Sequence, residues 1–217
     1  MKNKIKLVAF DLDGTLVDAY KAVTNSLNFV LKQMRLPGVE EAVIRRKVGW
    51  GDKNLLEAFF PQDKVEKALS LYRRHHREAL KSGTRFLPGV EKLLETLQTR
   101  RLKLAIATNR PTRFTHIILK HLEIRGFFDY VLCADKVPNP KPAPDVLNRI
   151  LERFSLKPSE AVYVGDMVID VQTGRRAKVK TIAVVTGSNT RKEIALAGPF
   201  KIVPEISEVA GVLERMT

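Results

Sequence analysis

The sequence predicts an α/β fold with a parallel sheet at its centre and one inserted domain made of helices. Two observations predict it. Short apolar runs alternate with helical patterns along most of the chain, and one early segment contains only helical patterns. Apolar runs without strict alternation are typical of strands buried on both faces. Alternating strands and helices are typical of a parallel sheet covered by helices.

Six apolar runs are predicted to be strands. They are Lys6–Phe10, Leu102–Ala107, Asp129–Leu132, Ala161–Val164, Thr181–Val184 and Phe200–Val203. Helical patterns separate most of these runs, as right-handed crossovers between parallel strands require. The predicted helices are Val90–Arg100, Thr112–His121, Ala143–Phe154, Ile169–Ala177 and Ile206–Leu213.

Residues 18 to 82 interrupt this alternation. Apolar residues recur there every three or four positions and show no strand pattern, which is typical of amphipathic helices. One such stripe contains Tyr20, Val23, Leu27, Val30 and Met34, and a later one contains Val65, Leu69, Tyr72, His76 and Ala79. We therefore predict an α/β core domain formed by residues 1–17 and 83–217, and a helical cap domain formed by residues 18–82.

Length and composition exclude several classes of protein. The chain has 217 residues, of which 44% are hydrophobic and 29% charged, an ordinary balance for a globular protein. Cys133 is the single cysteine, so a scaffold held by internal disulfides is excluded. No apolar run approaches the roughly 20 residues that span a bilayer, and the basic start lacks an apolar run long enough for a signal peptide. We expect a cytoplasmic monomer or homodimer without membrane contact.

The chain is strongly basic, with a net charge of +14. Its densest basic cluster is Arg73-Arg74-His75-His76-Arg77. A nucleic-acid-binding protein should concentrate its charge on one element, whereas the excess here is spread along the chain. We interpret the charge mainly as a solvated surface that also attracts small anions, with a nucleic-acid partner as the alternative.

The sharpest local motif follows the first predicted strand and contains two carboxylates, Asp11 and Asp13. Side chains alternate along an extended chain, so both can point to the same side. Two carboxylates so placed repel each other unless a cation lies between them, and their hard oxygens suit Mg²⁺. Gly14 permits a turn that leaves room for a ligand. An acidic turn without a ligand would explain Asp-Gly but not two acids at an apolar strand end.

Polar side chains also follow three other predicted strands. These are Thr108-Asn109-Arg110, Lys141 in a proline-rich loop, and Gly165-Asp166 with Asp170 one helical turn later. Each group has a simpler interpretation alone, as a helix cap or a solvated lysine. Ligands of open α/β sheets bind beyond the carboxyl ends of the strands, where all these groups lie. One site containing them all is therefore the economical inference.

These motifs resemble those of the haloacid dehalogenase superfamily of aspartate-nucleophile phosphotransferases. The first motif is Asp11-Leu12-Asp13-Gly14-Thr15, and Thr108, Lys141 and Gly165-Asp166 with Asp170 match the other three in the family's order. The proline-rich sequence around Lys141 is most similar to the phosphoglycolate phosphatase branch. The resemblance implies a Rossmann-like core with sheet order 5-4-1-2-3 and a helical cap of the C1 type.

The resemblance implies a role for each acidic residue. Asp11 would attack phosphorus and form an aspartyl-phosphate. Asp13 would protonate the leaving oxygen and then activate water. Mg²⁺ would be bound by Asp11, the backbone carbonyl of Asp13, and Asp166. Asp170 would orient Lys141 or a metal-bound water.

The remaining motif residues would bind the phosphoryl group. Thr108 would donate a hydrogen bond to it, and Lys141 would neutralise charge on it and on Asp11. Backbone N–H groups near Gly14 and Asn109 would complete the phosphate site.

The cap should select the substrate, a small anionic phosphorylated metabolite. Gly49-Trp50-Gly51 is the candidate substrate loop, although a helix end with a packed tryptophan explains it equally well. We expect 2-phosphoglycolate, whose carboxylate would need a cation, and the sequence leaves four candidates open. They are Arg45, Arg46, Lys53 and Arg110. A phosphohexomutase or a pyrophosphatase with the same aspartates is the alternative function, and a nucleic-acid-binding protein on this fold is the alternative of a different class.

Overall fold

A six-stranded parallel sheet forms the centre of the computed structural model, which describes residues 4–216. The strands of the described residues are β1 (Leu7–Phe10), β2 (Val17–Asp18), β3 (Arg85–Phe86), β4 (Lys103–Thr108), β5 (Tyr130–Cys133), β6 (Ala161–Gly165), β7 (Lys180–Val184) and β8 (Lys201–Val203). The order in the central sheet is β5-β4-β1-β6-β7-β8, and every neighbouring pair is parallel, while β2 and β3 form a separate pair. All six predicted strands are confirmed, and the first lies between the second and the fourth, as the resemblance implied.

Helices cover both faces of this sheet. The helices of the described residues are α1 (Tyr20–Gln33), α2 (Glu41–Arg45), α3 (Asp52–Glu57), α4 (Gln62–Gly83), α5 (Val90–Thr99), α6 (Thr112–His121), α7 (Asp145–Phe154), α8 (Val168–Arg176), α9 (Arg191–Ala197) and α10 (Val209–Glu214), of which α1–α4 do not belong to these covering layers. Side chains of β1 alternate between the two faces. Val8 and Phe10 pack in the larger core, whereas Leu7 and Ala9 pack in the smaller core on the opposite face.

The four helices α1–α4, which we call the cap helices, bury a hydrophobic cluster of their own. It contains Leu27, Leu56, Leu69 and Tyr72. The predicted division into a core domain and a cap domain stays a prediction, and residues 1–3 and 217 of that division lie outside the described residues.

The expectation of no strand within residues 18–82 was wrong at the first residue. Asp18 belongs to β2, which pairs antiparallel with β3 where the chain enters and leaves the cap helices. Arg85 Nη2 lies 2.8 Å from Asp18 Oδ2 across this pair. A two-residue strand is too short to produce a periodic pattern, which is why the sequence did not reveal it.

Two helices near the end of the chain differ from the prediction. Helix α9 was missed, although Thr190 and Glu193 form the capping box that begins it. The predicted helix Ile206–Leu213 starts as a 3₁₀ turn over Ile206–Glu208 and continues as α10. Within residues 4–216, no helix is long and apolar enough to cross a bilayer.

Candidate active site

The predicted site residues meet at the carboxyl edge of the central strands. Asp11 follows β1, Thr108 ends β4, and Asp166 follows β6. The Asp11 backbone N–H donates to the carbonyl of Val164 at 2.8 Å, which continues the β1–β6 pairing past the end of β1. The parallel register therefore holds the three polar side chains side by side.

Three buried carboxylates form the floor of the site. Oxygen atoms of Asp11, Asp166 and Asp170 lie within 4.8 Å of one another. Asp166 is completely buried; its Oδ1 accepts a hydrogen bond from Thr15 at 2.7 Å, while its Oδ2 has no hydrogen-bond partner among residues 4–216. A buried ionised oxygen without a partner is costly, and a divalent cation would remove that cost. The donor set is all oxygen and fits a hard divalent metal.

Glycines keep space open around the unpaired oxygen of Asp166. Gly14 has φ +79°, and a Cβ atom there would lie 2.5 Å from Asp166 Oδ2. A Cβ atom on Gly187 would lie 1.5 Å from the same oxygen. Gly14 was predicted to leave room for a ligand, whereas Gly187 had no recognisable signal in the sequence.

Lys141 supplies the positive charge of the site. Its buried Nζ lies 2.8 Å from Asp11 Oδ1 and 2.7 Å from Asp170 Oδ1. The same Nζ donates to the hydroxyl of Tyr163 at 2.9 Å. Both oxygens of Asp170 have partners, since its Oδ2 accepts from the N–H of Met167 at 3.0 Å. Asp170 therefore contacts Lys141, and its orienting role stays a prediction. The structure adds Tyr163, which the sequence indicated only as a strand residue.

Burial and the repulsion from neighbouring carboxylates raise the pKa values of Asp11 and Asp166. Burial is the main cause that raises the pKa of Asp11 to about 6; Lys141 opposes this shift and Asp170 adds to it. Burial, followed by the charges of Asp170 and Asp11, raises the pKa of Asp166 well above its ordinary value. Lys141 alone therefore does not compensate three carboxylates, and added positive charge at Asp166 would favour their ionised forms.

Thr108 and Asn109 are both buried, and their side chains have different hydrogen-bond partners. The Thr108 hydroxyl accepts from the N–H of Arg110 at 3.2 Å, and its proton has no acceptor among the described residues. It is free to donate to a bound oxyanion. The Asn109 side chain accepts from the N–H of Lys141 at 2.9 Å and donates to the carbonyl of Gly49 at 3.1 Å. Asn109 therefore fixes the Lys141 loop and joins it to the loop between α2 and α3.

Asp13 is held by Arg110 rather than by the acidic cluster. Arg110 Nε donates to Asp13 Oδ2 at 2.7 Å, and Nη2 donates to Oδ1 at 2.8 Å. The third nitrogen of Arg110, Nη1, lies 2.9 Å from Nε2 of His76 on α4. A guanidinium only donates, so His76 Nε2 is an acceptor and the ring carries its proton on Nδ1.

His76 also joins α4 to α1 through a hydrogen bond. His76 Nδ1 lies 2.9 Å from the Ser26 hydroxyl, which donates its own proton to the carbonyl of Ala22 at 2.8 Å. Ser26 therefore accepts from His76. Burial, and then the charge of Arg110, lower the pKa of His76 well below its ordinary value, so its ring is neutral. In the sequence, His76 stood out only as a member of an apolar helical stripe and of the basic cluster, and neither indicated this contact.

A small cavity of about 80 Å³ lies between the cap helices and the acidic cluster. Gly49 and Gly51 of the predicted substrate loop line it, whereas Trp50 is 48% exposed and lies outside the lining. The cap helices contribute mostly apolar and aromatic walls, including Tyr20 and Tyr72.

One of the four candidate cations for a substrate carboxylate lines this cavity. That residue is Arg110. Arg45 stacks on the ring of Tyr20 and donates to the carbonyl of Thr186 at 3.0 Å. The other two, Arg46 and Lys53, lie in surface ion pairs with Glu193 and Glu66.

Comparison with known proteins agrees with this geometry. The family model described as haloacid dehalogenase-like hydrolase matches residues 8–184. The chain is 30% identical to a phosphoglycolate phosphatase of Nitrosospira multiformis, over 97% of this chain and 96% of that protein. It is also 30% identical to a phosphoglycolate phosphatase of Escherichia coli K12, over 96% of this chain and 92% of that protein.

A solved structure shows the same architecture. The crystal structure of a predicted phosphoglycolate phosphatase from Haemophilus somnus superimposes with a TM-score of 0.91 at 26% identity, and covers 96% of this chain and 97% of that one. The family match runs from within β1 to the end of β7, and it includes the cap helices and every motif of the site. The chain therefore belongs to the haloacid dehalogenase-like hydrolase family, as a phosphatase similar to the phosphoglycolate phosphatases.

Proposed function

We propose that the protein hydrolyses 2-phosphoglycolate with Mg²⁺, through an aspartyl-phosphate on Asp11. The observation that carries this proposal is the position of Asp11. Its carboxylate lies at the floor of a small cavity, 2.8 Å from Lys141 Nζ and beside a partnerless oxygen of Asp166. A nucleophile needs no activating base when it is ionised, and a pKa of about 6 leaves most of Asp11 ionised at neutral pH.

The chain's own residues account for the steps of the reaction. The Asp11 carboxylate attacks phosphorus, and the bond between phosphorus and the leaving oxygen breaks. Lys141 and the free hydroxyl proton of Thr108 stabilise the negative charge on the phosphoryl oxygens. Asp13 gives a proton to the leaving oxygen and then takes one from the water that releases phosphate from Asp11.

The residues present fit the metal that this mechanism requires. Asp11, Asp166 and the backbone carbonyl of Asp13 would hold Mg²⁺, which would reduce the repulsion between the Asp11 carboxylate and the phosphoryl group. Asp170 contributes less to such a site because Lys141, Tyr163 and a backbone N–H already use its oxygens.

Arg110 supports glycolate as the leaving group. Its guanidinium lines the cavity and donates one hydrogen bond to each carboxylate oxygen of Asp13. A carboxylate on the substrate can take the place of Asp13 in this bidentate pair. That exchange would release Asp13 for proton transfer when an anionic leaving group is bound.

A substrate panel tests the proposal. We expect Mg²⁺-dependent phosphate release from 2-phosphoglycolate, with lower kcat/KM for ethyl phosphate, hexose phosphates and pyrophosphate. EDTA and Asp11→Asn should each abolish it. Faster turnover of a hexose phosphate, or activity that requires a sugar bisphosphate, would overturn the glycolate assignment in favour of a mutase. No turnover of any ester by the folded, Mg²⁺-loaded protein would overturn the hydrolase assignment.

The cellular context of the protein is part of the proposal. We propose that it acts in the cytoplasm, where a chain with the single buried cysteine Cys133 stays reduced. Whether it is a monomer or a homodimer stays a prediction that size-exclusion chromatography with light scattering would test.

A further inference from the structure

A second groove, outside the active cavity, is lined by four arginines. Arg73, Arg74 and Arg77 lie on α4 of the cap helices, and Arg113 faces them from α6. The groove has a volume of about 420 Å³. The basic cluster seen in the sequence is thus divided by the helix, because its two histidines pack toward α1 while its arginines border this groove.

Few carboxylates balance these arginines. Asp52 accepts two hydrogen bonds from Arg73, at 2.7 and 3.1 Å, and lies 3.7 Å from Arg113. Glu66, the acidic residue of the groove lining, pairs with a lysine on α3.

The two remaining arginines of the groove are uncompensated. Arg74 and Arg77 are exposed and take part in no ion pair within residues 4–216. The groove therefore holds more positive than negative charge at close range.

The arginines are near enough to repel one another. Burial first, and then the charges of Arg73 and Arg77, lower the pKa of Arg113, while Asp52 and Asp135 oppose the shift without cancelling it. Asp52 offsets part of this repulsion because it contacts both Arg73 and Arg113, whereas Arg74 and Arg77 have no carboxylate partner among the described residues. A bound anion would lower the repulsion that remains.

We propose that this groove binds a compact, multiply charged phosphate anion. Guanidinium groups pair with phosphate oxygens in a bidentate manner, and the two arginines without a carboxylate partner in the described part of the chain, Arg74 and Arg77, supply the surplus charge that several phosphate charges would match. The lining contains no aromatic side chain on which a base could stack, which favours a compact phosphate over single-stranded nucleic acid. Asp52 separates the groove from the active cavity, since it lines that cavity and pairs with the arginines of the groove.

Calorimetric titration with tripolyphosphate, in EDTA and 150 mM KCl, tests this site. The double variant Arg74→Gln/Arg77→Gln should bind about 10-fold more weakly than the wild type, since each exposed ion pair is worth up to about 1 kcal/mol. The matched control Arg191→Gln/Lys192→Gln removes the same charge from exposed positions of α9 and should bind like the wild type. Both variants keep the active cavity, so binding there is common to all three proteins.

Three results would overturn the proposal. One is unchanged affinity in the Arg74/Arg77 variant. Another is an equal loss in the α9 control, which would mean that only the net charge matters. The third is binding of a poly(dT) 12-mer more than 10-fold tighter than tripolyphosphate and dependent on Arg74 and Arg77, which would assign the groove to nucleic acid. The proposal does not rest on the phosphatase substrate, so its failure leaves the proposed function untouched.

Discussion

Magnesium should stabilise the metal-free protein against heat, and by more at pH 8 than at pH 5. The physical reason is the buried acidic cluster, in which Lys141 faces Asp11, Asp166 and Asp170. A divalent cation bound to the partnerless oxygen of Asp166 relieves the repulsion in the folded state and has no such site in the unfolded chain.

The size of this effect follows from mass action. At a Mg²⁺ concentration about 100 times the dissociation constant, binding adds about 2.7 kcal/mol to the free energy of unfolding. For a domain of this length, roughly 2–4 °C of melting temperature corresponds to each kcal/mol, so the expected rise is about 5–10 °C. At pH 5 only about one Asp11 in ten is ionised if its pKa is about 6. The apparent affinity then falls about 10-fold, which removes about 1.4 kcal/mol of the gain.

The metal-free protein should show the opposite dependence on pH. The pKa of Asp11 rises from 3.8 in the unfolded chain to about 6 in the folded one. The folded state therefore binds a proton at Asp11 more tightly than the unfolded state does. Stability from this group is present at low pH and is lost as pH rises from about 4 to 6. Over this range the free energy of unfolding falls by about 3 kcal/mol.

Thermal melts followed by circular dichroism, with Mg²⁺ or with KCl at equal ionic strength, measure both effects. Asp166→Asn is the control, since it removes the partnerless charged oxygen and should abolish most of the Mg²⁺ effect. An equal Mg²⁺ shift at pH 5 and pH 8, or a full shift in Asp166→Asn, would refute this reasoning.

Three further predictions concern single residues. Gly14→Ala should weaken Mg²⁺ binding at least 10-fold, because its Cβ would lie 2.5 Å from Asp166 Oδ2; unchanged binding in a calorimetric titration would contradict the geometry. Lys141→Met should abolish phosphate release and lower the free energy of unfolding at pH 8 by about 3–5 kcal/mol in urea, because buried carboxylates lose their counterion; a stable, active variant would contradict this. His76→Leu should cost about 1–3 kcal/mol in the same assay, because Arg110 loses a buried acceptor; a change below about 0.5 kcal/mol would contradict the neutral-ring assignment.

The sequence predicted the sheet and the site motifs because their signals are local. Buried parallel strands appear as short apolar runs, and Asp11, Thr108 and Asp166 stand immediately after or at the ends of three of them. The parallel register then brings these residues together without any further information.

The contacts that the sequence did not reveal depend on distant segments. The bidentate pair of Arg110 with Asp13 and the contact of His76 with Arg110 join elements far apart in the chain. No periodicity or spacing encodes such a contact. Tyr163 was hidden for another reason, since a tyrosine in an apolar run is normally read as core, and only the position of Lys141 shows its hydrogen-bonding role.

Direct detection of phosphate on Asp11 tests the central claim of this account. Rapid-quench reaction of the Mg²⁺-loaded protein with ³²P-labelled 2-phosphoglycolate should give transient, alkali-labile label on the wild-type protein and none on Asp11→Asn. Phosphate release without protein-bound label at any quench time, or label that persists in Asp11→Asn, would contradict the role of Asp11 as the nucleophile.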